Sequence, residues 1–103
     1  MNKSKAETFI GFVLRTGKFR IGLNAAATLK KAKLVIVCKT ASDNTKKEAD
    51  KLAKKFRCPI IEPTEKTLED MTTRENAKVM AIEDKNLSDA ILNNMEKDFI
   101  ARI

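Results

Sequence analysis

Residues 17–40, GKFRIGLNAAATLKKAKLVIVCKT, carry the topology of this chain. They read as a turn, a short strand, a glycine turn, a helix and a buried strand. Leu34 to Cys38 is an unbroken apolar run, as required of a strand covered on both faces. Gly17 and Gly22 punctuate the elements, because glycine takes backbone angles closed to other residues. Lys18, Arg20, Lys30, Lys31 and Lys33 ring them. A glycine turn that opens a helix among cations suits a phosphate backbone, which would meet free N–H groups and the positive end of the helix dipole.

Upstream, Ser4 and Glu7 have the spacing of a capping box, and Phe9, Ile10, Val13 and Leu14 make an apolar stripe at helical spacing. Gly17 stops that first helix. Phe19 to Ile21 alternates as a strand, and Gly22 turns the chain into an alanine-rich helix over about residues 23–31. The central strand covers 33–39.

Downstream, the run from Thr40 to Thr45 is dense in capping residues. It predicts a third helix over 43–56. Ala49, Leu52, Ala53 and Phe56 fall on one face of it, with Lys46, Lys47, Lys51, Lys54 and Lys55 elsewhere. Cys58 to Ile61 reads as a strand that Pro59 helps to begin. A polar loop over 62–67 leads to a short helix from Leu68 to Thr73, and then to an apolar strand from Ala77 to Ile82. Asp84 is placed to cap a last helix over 86–101, with Leu87, Ile91, Met95 and Phe99 at steps of four. Helices and strands alternate throughout. The expectation is one α/β domain spanning 1–103, its sheet largely parallel and sandwiched between helical layers, with no internal repeat and no linker.

Composition narrows the function. No apolar run approaches the length of a membrane span. The basic start MNKSKAET is followed by neither a long apolar core nor a small-residue cleavage site. That reads as no signal peptide and a cytoplasmic location, with no membrane partner. The chain has no histidine, which rules out a Cys/His zinc site and histidine acid–base chemistry. Cys38 and Cys58 form no CxxC pair and sit in or beside apolar runs, as reduced, buried thiols do. No phosphate-loop glycine pattern, nucleophile elbow or HExxH motif is present. The acidic pairs Glu69-Asp70 and Glu83-Asp84 read as solvated surface groups. No catalytic residue, metal or cofactor is expected.

Net charge is +7, but its distribution says more. Residues 1–57 hold 15 Lys and Arg against 4 Asp and Glu, whereas residues 58–103 hold 6 against 10. Such asymmetry suits a basic face for a polyanion. The turn at Gly22 is the foremost site candidate. Gly22 lets backbone approach a ligand closely, Asn24 offers a donor and an acceptor to a base edge, and Lys30 and Lys31 add charge. From the residues alone a second reading stands beside it: a glycine needed only for the turn, and an asparagine serving as N-cap.

Three segments together resemble a known family: FVLRTGKFRIG (12–22), AKLVIVCKTASDNTKKEADKLAKKFRCPII (32–61) and AKVMAIEDKNLSDAI (77–91). In order and spacing the chain resembles the kink-turn RNA-binding ribosomal proteins of the "L-seven-Ae" type, which include small bacterial homologues. The resemblance implies a three-layer α/β/α sandwich with a four-stranded mixed sheet. It also implies a monomer whose partner is structured RNA, either ribosomal or kink-turn, with the ribosome as its setting and no DNA. The family's RNA motif, G-x-N-E-x-x-K, here reads Gly22-Leu23-Asn24-Ala25-Ala26-Ala27-Thr28. Gly22 and Asn24 match, Ala25 replaces the glutamate, and Thr28 replaces the lysine. Lys30-Lys31 stands where the family has an arginine–glycine turn. The family's apolar loop, which covers an extruded base, corresponds to Leu68-Glu69-Asp70-Met71, an acidic version.

These readings converge on a non-enzymatic RNA-binding protein using Lys18, Arg20, Gly22, Asn24, Thr28, Lys30, Lys31 and Lys66. The alternative is a divergent member that has lost specific RNA binding and serves as a protein-interaction module. The replacements at Ala25 and Thr28 and the acids Glu69 and Asp70 favour the alternative.

Overall fold

The computed structural model describes residues 4–102. In chain order the elements are α1 (Lys5–Thr16), β1 (Phe19–Ile21), α2 (Leu23–Ala27), β2 (Leu34–Val37), α3 (Asp43–Phe56), β3 (Ile60–Pro63), α4 (Leu68–Thr72), β4 (Val79–Ile82), α5 (Lys85–Asn93) and β5 (Phe99–Ala101). The strands form one sheet in the order β1-β4-β2-β3-β5.

The apolar run in β2 explains the layering. Leu34 and Ile36 enter a core shared with Ile10 and Val13 of α1, Leu68 of α4 and Ile91 of α5. Val35 and Val37 enter a second core with Ala26 of α2 and Ala49 and Leu52 of α3. Strand side chains alternate between faces, so a strand buried twice must be apolar at every position. The result is three layers: α1, α4 and α5, then the sheet, then α2 and α3.

Two expectations about the sheet are corrected. It has five strands, not four, and it is mostly antiparallel. Among the described residues β2 and β3 run parallel, and β1–β4, β2–β4 and β3–β5 are antiparallel. The fifth strand comes from the segment read as the end of the last helix. Asp84 caps α5 as expected, accepting from the Leu87 amide at 2.9 Å. The helix, however, stops at Asn93, and the Asn94 side chain donates back to the Ala90 carbonyl at 2.7 Å. Asparagine competes with the helix for its own carbonyls, which makes it a poor continuer. The chain then reverses through Glu96 in the left-handed region, and β5 pairs with β3. Phe99 reaches the same core as Ile91, with Leu87 and Met95 partly buried against it, so the four-residue spacing reports correctly which residues face the core and wrongly how the backbone gets there.

Two local features also depart from expectation. The second helix is short because Thr28 and Leu29 donate to the carbonyls three residues back, which tightens the turn and ends it. Ser4 caps α1 by accepting from the Glu7 amide at 3.1 Å, but the Glu7 carboxylate does not complete a capping box. It pairs instead with Lys66 at 2.9 Å.

Candidate functional site

Gly22 ends β1 and precedes α2 with φ 97° and ψ 149°, a conformation open essentially to glycine alone. An added Cβ would meet nothing within 4 Å, so the position demands a backbone angle rather than space. Its N–H donates to the Val79 carbonyl at 2.9 Å, fastening the turn to the start of β4. No side chain caps α2. Beside the turn lies an open hollow of about 480 Å³, lined by Gly22, Asn24, Thr45, Asn76, Lys78 and neighbouring residues. Asn24 is exposed, and among the described residues its amide has no side-chain partner.

Lys78 reaches this hollow already engaged. Its Nζ donates to Thr40 Oγ1 at 2.8 Å and to Glu69 Oε1 at 3.1 Å. Beneath them the buried Cys38 thiol lies 3.1 Å from Thr40 Oγ1 and accepts the Leu68 amide at 3.3 Å. This network ties the end of β2 to α4. Glu69, read from sequence as a solvated acid, is thus the counter-ion of a cation at the hollow.

Strand register divides the sequence-derived residues. Ile82 stands opposite both Phe19 and Leu34, and Lys18 and Lys33 bond across the same end of β4. Gly22 and Lys78 flank the other end. Three to four residues of strand separate the two ends, about 10–13 Å. Lys30 and Lys31 stand three and two residues before Lys33, on the stretch that enters β2 at the end of the sheet where Lys18 lies. Arg20 lies between: Phe19 and Ile21 pack toward α1, so alternation turns Arg20 toward the α2 side. Lys18, Arg20, Lys30 and Lys31 are all exposed, and none has a carboxylate partner among the described residues.

Two candidates fall outside this arrangement. The Thr28 hydroxyl donates to the Ala25 carbonyl at 2.6 Å, so it serves the end of α2. Lys66 lies three strands across from Gly22, in the α1 layer, where its hydrogen bond to Glu7 raises its pKa. Leu68, aligned by resemblance with a base-covering loop, is fully buried in the core and has no free face to offer a base.

Thr45, Asn76 and Lys78 were not legible as site residues in the sequence. Lys78 meets Gly22 only because β1 pairs with β4, and nothing local to residue 78 announces that pairing. Among the described residues no group of three or more metal-ligating side chains assembles, and no helix is long and apolar enough to cross a membrane.

No family model matches this chain, and no curated protein matches it. A solved structure of a protein with unknown function from Bacillus halodurans is similar in fold, with a TM-score of 0.76 at 17% sequence identity. The match covers 91% of this chain and 99% of that one. At that identity the likeness establishes a shared architecture and carries no activity across.

Proposed function

We propose that this chain is a non-enzymatic RNA-binding protein, cytoplasmic and ribosome-associated, that docks structured RNA of the kink-turn kind along its α2 side. One observation supports this above the rest. The cations Lys18, Arg20, Lys30 and Lys31 are exposed and, among the described residues, without a carboxylate partner, on the flank that ends at Gly22 and the exposed Asn24. The sequence resemblance to kink-turn binders supports the same reading. In it Asn24 reads a base edge, the Gly22 turn admits the backbone, and the lysines hold phosphates. Phosphate contacts position an RNA, and base contacts select it. Without the family's glutamate and lysine, each lost contact to a desolvated base weakens binding by about 1–3 kcal/mol.

A mobility shift comparing a kink-turn RNA with a straight duplex tests this. Preference for the kink-turn, with log affinity falling as log salt rises, is the expected result. Equal affinity for the two at moderate salt rejects the specific version. The variants Asn24→Ala and Lys30→Glu/Lys31→Glu separate base reading from charge: a mild loss in the first with a severe loss in the second marks docking led by charge.

A protein-interaction module is the second reading, favoured by the buried Leu68 and by Glu69 neutralising Lys78. It predicts a co-purifying protein and no nucleic-acid absorbance.

A further inference from the structure

At the opposite end of the sheet from Gly22, a cavity of about 570 Å³ opens between α3, the start of β3 and β5. That size falls within the range of small-molecule sites. Ala53, Cys58, Pro59, Ile60 and Ala101 line it, and its surface is largely apolar. Burial pushes the Cys58 thiol up to about 11, so at neutral pH it is a protonated, uncharged part of the wall. The one carboxylate in the lining, Asp50, is already held by Arg102 through two bonds of 3.0 and 2.8 Å.

Lys54 and Arg57 also line the cavity, and neither has a carboxylate partner among the described residues. A helix C-terminus carries about half a negative charge. Lys54, Lys55 and Arg57 together exceed that, so the helix end alone does not account for them. Arg57 also occupies the left-handed region at φ 54°, where a helix end ordinarily places glycine or asparagine. The residue at this rim is thus a cation in a backbone conformation that glycine or asparagine adopts more readily.

We propose that the cavity binds a small organic anion, an apolar body bearing one carboxylate, sulfonate or phosphate. Lys54 and Arg57 take the anionic end, and Ala53, Pro59, Ile60 and Ala101 cover the body. The site is separate from the Gly22 hollow and stands independently of the RNA reading.

Anilinonaphthalenesulfonate has this chemistry and brightens when its rings leave water. Titrating it into the whole protein should give one saturable site per chain. Lys54→Gln with Arg57→Gln should weaken binding at least tenfold. Ala101→Trp, on the exposed edge strand, should fill the cavity and abolish brightening without shifting the thermal melt. The uncharged ring system lacking the sulfonate should bind at least tenfold more weakly than the sulfonate. A titration that does not saturate, or equal affinity in wild type and both variants, overturns the proposal.

Discussion

If the chain docks RNA as proposed, replacing Glu69 with glutamine should tighten that binding. In the wild type Glu69 Oε1 sits 3.1 Å from Lys78 Nζ, with the two side chains 27% and 35% exposed. Lys78 lines the hollow beside Gly22, but its charge is neutralised where a phosphate would need it. Glutamine keeps the shape and can still accept from Lys78 while removing the competing charge. One additional phosphate contact steepens the slope of log affinity against log salt by about 0.7–0.9. At about 0.1 M salt, that release is worth about sixfold in affinity, fading as salt approaches about 1 M. A double-mutant cycle isolates the effect. Lys78→Gln alone should weaken binding, because it leaves the Glu69 carboxylate uncompensated, and Glu69→Gln/Lys78→Gln should return to about the wild-type affinity. Fluorescence anisotropy over a salt series reads both quantities. An unchanged slope in Glu69→Gln, or a gain that survives loss of Lys78, would refute the reasoning.

Three further outcomes follow from the geometry. Ser88 is fully buried in α5 with no partner for its Oγ, so Ser88→Ala should stabilise the fold by about 1–2 kcal/mol, combining a removed desolvation penalty with better helix propensity. The chain has no Trp or Tyr, so urea unfolding is best followed by far-ultraviolet circular dichroism, and an unchanged midpoint would mean the hydroxyl is bonded to a helix carbonyl. The bond from Arg102 holds the Asp50 carboxyl below its ordinary value of 3.8. The stability this lends is present above that value and is lost as pH falls through the depressed one, so Arg102→Ala should flatten the acid limb of a stability–pH curve. Gly22→Ala should cost about 1–3 kcal/mol and Gly17→Ala about 1–2 kcal/mol; both have open space for a Cβ, so a midpoint ordering the other way in urea would undercut the backbone argument.

The sequence disclosed elements better than it disclosed neighbours. The bounds of α3, the caps Ser4 and Asp84, and the doubly buried β2 follow from short-range chemistry, and the structure has them where that chemistry predicts. Strand direction does not follow from it. Alternation of helix and strand suggested parallel pairing, but the short passage from β1 into α2 leads to β2 two places away, and β4 inserts between them antiparallel to both. The fate of residues 94–101 was hidden for a related reason. Met95 and Phe99 continue a four-residue apolar spacing that a helix or a reversed strand satisfies equally; the Asn94 side chain helps to end the helix, and the free edge of β3 takes up the strand.

The same register bears on what kind of polyanion fits. In sequence, Lys18, Arg20, Gly22 and Asn24 look like one contiguous site. In the fold, β1 stretches them along an edge, so the hollow and the cluster of Lys18, Lys30 and Lys31 lie about 10–13 Å apart. A ligand with several phosphates in a row can engage both at once. Taking the rise of about 3.4 Å per phosphate of a B-form DNA strand as the scale, three or four steps, hence four or five phosphates, span the gap. The arrangement therefore argues for a polymer laid along the edge of the sheet over a lone phosphorylated metabolite. On that geometry, shortening an RNA below about four nucleotides should cost far more affinity than trimming a longer one by the same length, because only the short ligand must abandon one of the two clusters.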